Sequence, residues 1–240
     1  MGCSTWCTIK SVRLKTNSIL KSFLKLFFLK TDYDLETSIN YYDSARRETW
    51  RQYLTPLIGN QRNFHVEFGV FRPLSKGTIR LASADPFEYP LIDPNYFSNR
   101  QDLVALLQTM SIGLRLTEDP ELQEVLHFYA PIPGCTLCSG GVPLSRCYSY
   151  LACAATSFTG TTSHPVGSCR MGNGSNNTAD PESLMAVVDE RLRVKGVSAL
   201  RVVDASVMPL VPNANTMAAT MALAERAAQI IKEEYNCKLR

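Results

Sequence analysis

The sequence lacks an uninterrupted run of about 20 apolar residues, the length a membrane-crossing helix requires, so no transmembrane segment is expected. The stretch 19–29 is apolar but broken by Lys21 and Lys25, and Lys30, Asp32 and Asp34 follow where a cleavable signal would place small residues. A surface amphipathic helix, a connecting helix and a loosely ordered leader all remain readings of residues 1–60, and localisation stays unassigned. Charge of one sign is also scarce. Lys and Arg number 25 against 22 Asp and Glu, a net charge of +3. No nucleic-acid-binding signature accompanies that balance, so nucleic acid is not an expected partner. Histidine is rare, with three residues in the chain, at positions 65, 127 and 164.

What is present is an ordinary globular composition of 240 residues, 45% hydrophobic and 20% charged, enough for one large domain or two small ones. The eight cysteines are more than a cytosolic enzyme of this size usually carries. Cys135, Cys138, Cys147, Cys153 and Cys169 cluster in the middle. Cys135 and Cys138 form a CxxC, but no second CxxC and no spaced histidine pair completes four zinc ligands. No metal site is expected. Buried thiols or disulfides are the readings that remain, disulfides if the protein is secreted. Asn173-Gly174-Ser175 and Asn176-Asn177-Thr178 are glycosylation sequons, weakly consistent with that compartment.

Residues 64–70 alternate apolar and polar side chains and predict a strand. Arg72–Gly77 has turn chemistry, and Thr78–Leu81 predicts a second strand, together an antiparallel hairpin. Asp85–Phe97 reads as irregular. The spacing of Leu103, Leu106, Leu107, Met110 and Leu114 predicts a helix over 102–116. Residues 131–145 read as a loop, 147–158 as a helix and 159–177 as a loop. Short strands are expected at Val187-Val188, Leu192–Val194 and Leu200–Val203. A long helix is predicted over 216–235, with Met217, Met221, Ala224, Ala228 and Ile231 on one side and Asn215 as its N-cap.

Two groups of residues carry candidate chemistry. His164 lies in Ser163-His164-Pro165-Val166-Gly167-Ser168-Cys169-Arg170-Met171-Gly172, where one proline and two glycines restrict the backbone around a single imidazole. Loops of that kind often present a titratable side chain at a site, while a hydrogen-bonded loop histidine is the plain alternative. The second group runs from Leu200 to Ala224. Asp204 ends an apolar stretch, Pro209 and Pro212 turn the chain, and the last helix starts after Asn215. A helix N-terminus favours an anion or a polarised carbonyl, and a carboxylate at a strand end can bond a cofactor's hydroxyls. A plain strand–turn–helix with a locally capping Asp204 fits the same residues.

Residues 164–172 closely resemble the HPxGTCxMG signature of the glucose–methanol–choline (GMC) oxidoreductases. Val187-Val188-Asp189, Leu192-Arg193-Val194, Leu200–Pro209, Asn215-Thr216 and Ala224-Glu225-Arg226-Ala227-Ala228 follow in the order of that family's C-terminal block. Upstream, Arg72–Gly77, Ser83–Pro86 and Pro90–Tyr96 resemble its substrate-domain opening, so the resemblance covers about residues 64–235. The Cys-rich segment before His164 resembles, more loosely, the insect glucose-dehydrogenase-like branch.

The resemblance implies an FAD-dependent oxidoreductase of small-molecule alcohols or sugars, with hydride transfer to flavin N5 and His164 as the base. Asn215 would bond the substrate oxygen. Asp204, Ala205, Thr216 and Met217 match positions beside the cofactor. The implied fold is α+β: an antiparallel substrate-domain sheet with helices on one face, then a C-terminal strand–turn–helix from an incomplete FAD-binding domain. The expected domains are an uncharacterised leader over 1–60, the substrate domain over 61–160, and the active-site loop with the flavin-domain portion over 161–240. The chain departs from the family at Met217, where a second Asn is common. None of its 13 glycines forms the G-x-G-x-x-G turn that holds a dinucleotide pyrophosphate. The chain alone is therefore expected to bind FAD weakly or not at all, with a further flavin-binding half as partner. A non-catalytic module derived from such an enzyme, and a zinc-stabilised or membrane-attached domain, are the competing readings.

Overall fold

A computed structural model describes residues 5–14, 48, 51–53, 63–123, 126–128, 131–161, 163–172 and 185–235. The stretch 19–29 and both sequons lie outside the described residues. The chain forms two compact units. One comprises Met1–Thr5, Phe71–Asp102 and Thr161–Arg240, the other Trp6–Val70 and Leu103–Gly160. Mixed helix and strand with small antiparallel sheets is the α+β class that the sequence predicts.

The unit built from Trp6–Val70 and Leu103–Gly160 carries a four-stranded sheet. Strand β1 (Thr5–Leu14) lies between β2 (Asn63–Val70) and β5 (Leu126–Phe128), and β6 (Thr159–Thr161) also pairs with β1. β1 and β5 run antiparallel, with Val12 opposite Phe128 and Leu14 opposite Leu126. Part of the segment read as a leader is therefore a sheet strand. Its β-branched Thr5, Thr8, Ile9 and Val12 suit a pleated surface, but a bare propensity is a weak signal without the partner strands.

Helix α1 (Arg100–Arg115) buries Leu106, Met110 and Leu114, one residue per turn along a single stripe. Gly113 completes that packing. A Cβ there would run into the Phe68 ring, so strand β2 and the helix approach more closely than any side chain would permit. After the short α2 (Pro120–Gln123), helix α3 (Tyr148–Phe158) buries Tyr150, Leu151, Ala154, Ala155 and Phe158. The Tyr150 hydroxyl accepts the Ile132 N–H at 3.1 Å, so this buried ring keeps its polar atom paired.

Two disulfides tie down the 131–147 loop, one to α3 and one within the loop, up to the residue that caps α3. Cys135 joins Cys153 and Cys138 joins Cys147, with Cα separations of 5.6 and 5.7 Å, within the usual range for a bridge. The CxxC cysteines therefore pair with later residues and not with each other. Among the described residues no cluster of potential ligands could hold a metal ion.

In the other unit, β3 (Thr78–Arg80) pairs antiparallel with β4 (Leu91–Asp93), Ile79 opposite Ile92. This corrects the hairpin expected from the sequence. Thr78–Arg80 does not pair with residues 64–70, and the segment read as irregular supplies the partner strand. Gly77 permits the arrangement, because a Cβ there would overlap the Asp93 carbonyl.

The C-terminal portion is held by single bridges rather than long strands. Val188 pairs with Met171 in parallel and with Val194 antiparallel, and Arg193 pairs with Arg201. Leu200–Val203, predicted as a strand, thus contributes one bridge residue. Helix α4 (Thr216–Glu234) appears where the sequence placed it. Its core face is Ala219, packed against the Val166 group, and Leu223 and Ala227, packed against Val188, Leu192 and Val207, with Ile230 buried farther along. On the side read from the sequence, Met217, Met221, Ala224 and Ala228 are exposed and Ile231 is half-buried. Arg201 and Arg191 both reach Glu234, at 2.6 and 3.3 Å, and tie the far end of α4 to the bridge segment. The hydrogen bond from Arg201 holds the Glu234 carboxyl below its ordinary range, outweighing desolvation.

Candidate active site

The loop that carries His164 is held by backbone contacts. Ser163, directly before it, sits at φ 61°, left-handed backbone that costs a non-glycine residue about 1–2 kcal/mol. The Ser163 N–H donates to the Thr161 hydroxyl at 2.9 Å. Pro165 follows, and Gly167 takes φ 88°. Val166 is fully buried with Met208 and Val211, and Ala205 and Ala219 pack against that group.

Beyond this anchor, the N–H groups of Gly167 and Cys169 both donate to the Ser206 carbonyl at 3.0 Å. Met171 N–H donates to the Val207 carbonyl at 2.8 Å. The histidine loop therefore lies on the short 3₁₀ turn Ala205–Val207. Asp204 caps that turn: its Oδ1 accepts the Ser206 N–H at 2.8 Å and also the Ser206 hydroxyl. One exposed carboxylate thus shapes the carbonyl on which two loop amides hang.

The imidazole itself meets the start of α4. His164 Nδ1 lies 3.1 Å from the Thr216 Oγ1. Thr216 is the first residue of α4 and is only 8% exposed, while His164 is half-buried. Asn215 occupies the N-cap position, as predicted, but its side chain makes no capping bond and is exposed. An amide at a helix mouth normally bonds the second or third N–H of the helix, and this one has no partner among the described residues. Nε2 of His164 has no partner among the described residues.

The sequence-derived residues thus divide into two sets. His164 and Thr216 touch directly, Asn215 adjoins them at the same helix end, and Ala205 joins the apolar group under the loop. Asp204 is engaged with Ser206. Met217 is 71% exposed. The contact of the Thr216 side chain with the ring and the double acceptance by the Ser206 carbonyl carry no sequence signature, because they join segments about 40–50 residues apart.

Chemically, the arrangement is an imidazole with one nitrogen held by a buried hydroxyl and the other open among the described residues. It stands beside an amide at a helix N-terminus, where partial positive charge collects. Such a group can take a proton from a hydroxyl while the amide and the helix mouth bond the oxygen.

The GMC oxidoreductase pattern matches residues 73–224. Glucose dehydrogenase [FAD, quinone] of Drosophila melanogaster is 35% identical over 185 residues, covering 76% of this chain and 28% of that protein. Alcohol dehydrogenase [acceptor] of Pseudomonas putida is 39% identical over 160 residues, 66% of this chain and 26% of its own length. Among solved structures, pyridoxine 4-oxidase from Mesorbium loti aligns with TM-score 0.57 and 26% identity over 74% of this chain and 30% of that one. Aspergillus oryzae formate oxidase shares the fold, with TM-score 0.65 and 20% identity over 98% of this chain and 47% of its own. The chain thus spans less than a third of the length of the curated relatives it matches, and within that span it belongs to the GMC oxidoreductase family.

Proposed function

We propose that the chain is the substrate-side part of an FAD-dependent oxidoreductase acting on the CH–OH group of a small alcohol or sugar, with His164 as the base. The observation that carries the reading is the 3.1 Å contact between His164 Nδ1 and the Thr216 hydroxyl, which sets the ring at the mouth of α4 beside Asn215. Oxidising an alcohol to a carbonyl removes the hydroxyl proton as well as the C–H electron pair. A group that titrates near neutrality is suited to that proton. His164 accepts it at Nε2, and the Asn215 amide bonds the same oxygen.

The residues present fit a flavin. The uncapped N-terminus of α4 favours negative charge, and the exposed Asp204 carboxylate has Oδ2 without a partner among the described residues, able to accept from hydroxyls. Asp204 and Ala205 would lie along the cofactor's ribityl side, and Thr216 and Met217 would offer it the first N–H groups of α4. When bound, the flavin supplies the acceptor for the two electrons leaving the alcohol carbon. The pyrophosphate-binding portion is assigned to polypeptide outside this sequence, because no G-x-G-x-x-G turn occurs within it.

His164→Ala in the enzyme that carries this chain tests the reading. Flavin reduction by substrate, followed by absorbance in a stopped-flow instrument, should slow about 10²–10⁴-fold, the usual worth of a positioned base. FAD content should stay unchanged. An unaltered reduction rate rejects the assignment.

A further inference from the structure

An imidazole has two nitrogens, and in its neutral form only the one without hydrogen accepts a proton. Which one that is depends on the bond the other nitrogen makes. Among the described residues the choice falls to a single side chain. Thr216 Oγ1 lies 3.1 Å from Nδ1, and at 8% exposure it leaves little room for water to compete. The backbone on either side of the ring is restricted by Ser163, Pro165 and the Gly167 and Cys169 bonds to the Ser206 carbonyl, so the ring's freedom is confined to its own side-chain torsions. A threonine hydroxyl donates or accepts equally well. If it donated to Nδ1, the hydrogen would sit on Nε2 and the open nitrogen would have no lone pair to offer.

We infer that the Thr216 hydroxyl accepts from Nδ1–H of His164, fixing the tautomer in which Nε2 is the free base. Thr216 is then a positioning residue acting through the imidazole, and its backbone N–H remains available to the flavin. The inference rests on the base role given to His164 above and adds what makes that role possible.

The test is tautomer spectroscopy. In the 240-residue chain with ¹⁵N-labelled imidazoles, long-range ¹H–¹⁵N spectra at about pH 9, well above the ordinary imidazole range, report which nitrogen carries hydrogen. With three histidines in the chain, the spectrum of His164→Gln identifies the relevant signals. The wild type and Thr216→Ser should show Nδ1–H at position 164, whereas Thr216→Val should move to the Nε2–H form that free imidazole prefers in water. A wild-type ring carrying Nε2–H overturns the inference, as does a folded Thr216→Val that keeps Nδ1–H. The wild-type spectrum decides the matter even if the valine variant does not fold. In the flavin-loaded enzyme, Thr216→Val should slow flavin reduction about 10–100-fold, the usual cost of losing an orienting partner, with little change in KM, and Thr216→Ser should restore it. If His164→Ala leaves reduction unchanged while the tautomer is as expected, the base role fails and the contact stands as structure. If His164→Ala is slow but the ring carries Nε2–H, only the present inference falls.

Discussion

Asp102 offers the sharpest test of how the unit carrying the β3–β4 hairpin is held. Its carboxylate is 3% exposed and lies in the first turn of α1. Oδ1 accepts the Leu74 N–H at 2.9 Å, and Oδ2 accepts the Ser75 N–H at 2.7 Å and the Ser75 hydroxyl at 2.5 Å. Ser75 is 5% exposed, and its oxygen in turn accepts the Asn99 N–H at 3.1 Å. Asp102→Ala removes the acceptor from three donors, two of them on the buried serine. At about 1.5–2 kcal/mol for each of these two charge-assisted bonds, the loop should lose about 3–4 kcal/mol. Loss of the favourable carboxylate–helix interaction adds about 0.3–1 kcal/mol. One decade of exchange rate corresponds to about 1.4 kcal/mol, so amides in the 71–76 peptide should exchange about 10²–10⁴-fold faster. Asp102→Asn keeps the shape but turns one acceptor into a donor, and should fall between wild type and alanine. Hydrogen–deuterium exchange read by mass spectrometry resolves this peptide directly. If Asp102→Ala exchanges within about threefold of wild type, the donors are satisfied without the carboxylate and the reasoning is wrong.

Further outcomes concern the same two units. Asp189 accepts from the N–H groups of Arg191 and Arg193 and from the Arg193 guanidinium, each at 2.9 Å. Burial would raise its carboxyl, but these bonds outweigh it and hold the group below its ordinary 3.8. A depressed folded value contributes stability above pH 3.8 that is lost as pH falls through the folded value. In an acid titration, the Arg191 and Arg193 amide shifts should therefore move with a midpoint below 3.8, and a midpoint at or above it would contradict the bonding. The two disulfides close separations of 18 and 9 residues. Reducing both should destabilise the Cys-rich unit by about 2–5 kcal/mol in denaturant unfolding. Alkylation of the unreduced, unfolded chain should label Cys169 and spare Cys135, Cys138, Cys147 and Cys153, and label on any of these four refutes the pairing.

Much of the helical architecture was legible because it depends on local periodicity. Leu106, Met110 and Leu114 announce α1, and the alanine-rich run after Asn215 announces α4. Residues 64–70 read as a strand from alternation alone. Pairing was not legible. Thr78–Arg80 could be recognised as extended, but its partner Leu91–Asp93 lies among prolines that mask a three-residue strand. The same limit hid β1, whose neighbours are supplied by residues about 60, 120 and 150 positions away. On α4, periodicity named one apolar side while packing chose the other. Ala219 meets the Val166 group, Leu223 and Ala227 meet Val188, Leu192 and Val207, and Met217 and Met221 are left outside.

By itself, the sequence determined where the long helices run and singled out the candidate residues for chemistry. Both follow from residue type and short-range spacing: a proline–glycine-bounded histidine, an asparagine before an alanine-rich stretch, apolar residues three and four apart. Tertiary structure decided that the His164 ring meets the Thr216 hydroxyl, that the Ser206 carbonyl carries the histidine loop, and that the CxxC cysteines pair outward. Those contacts join distant segments, and a hydroxyl, a carbonyl or a thiol leaves no mark in the local pattern to say which remote atom it will reach.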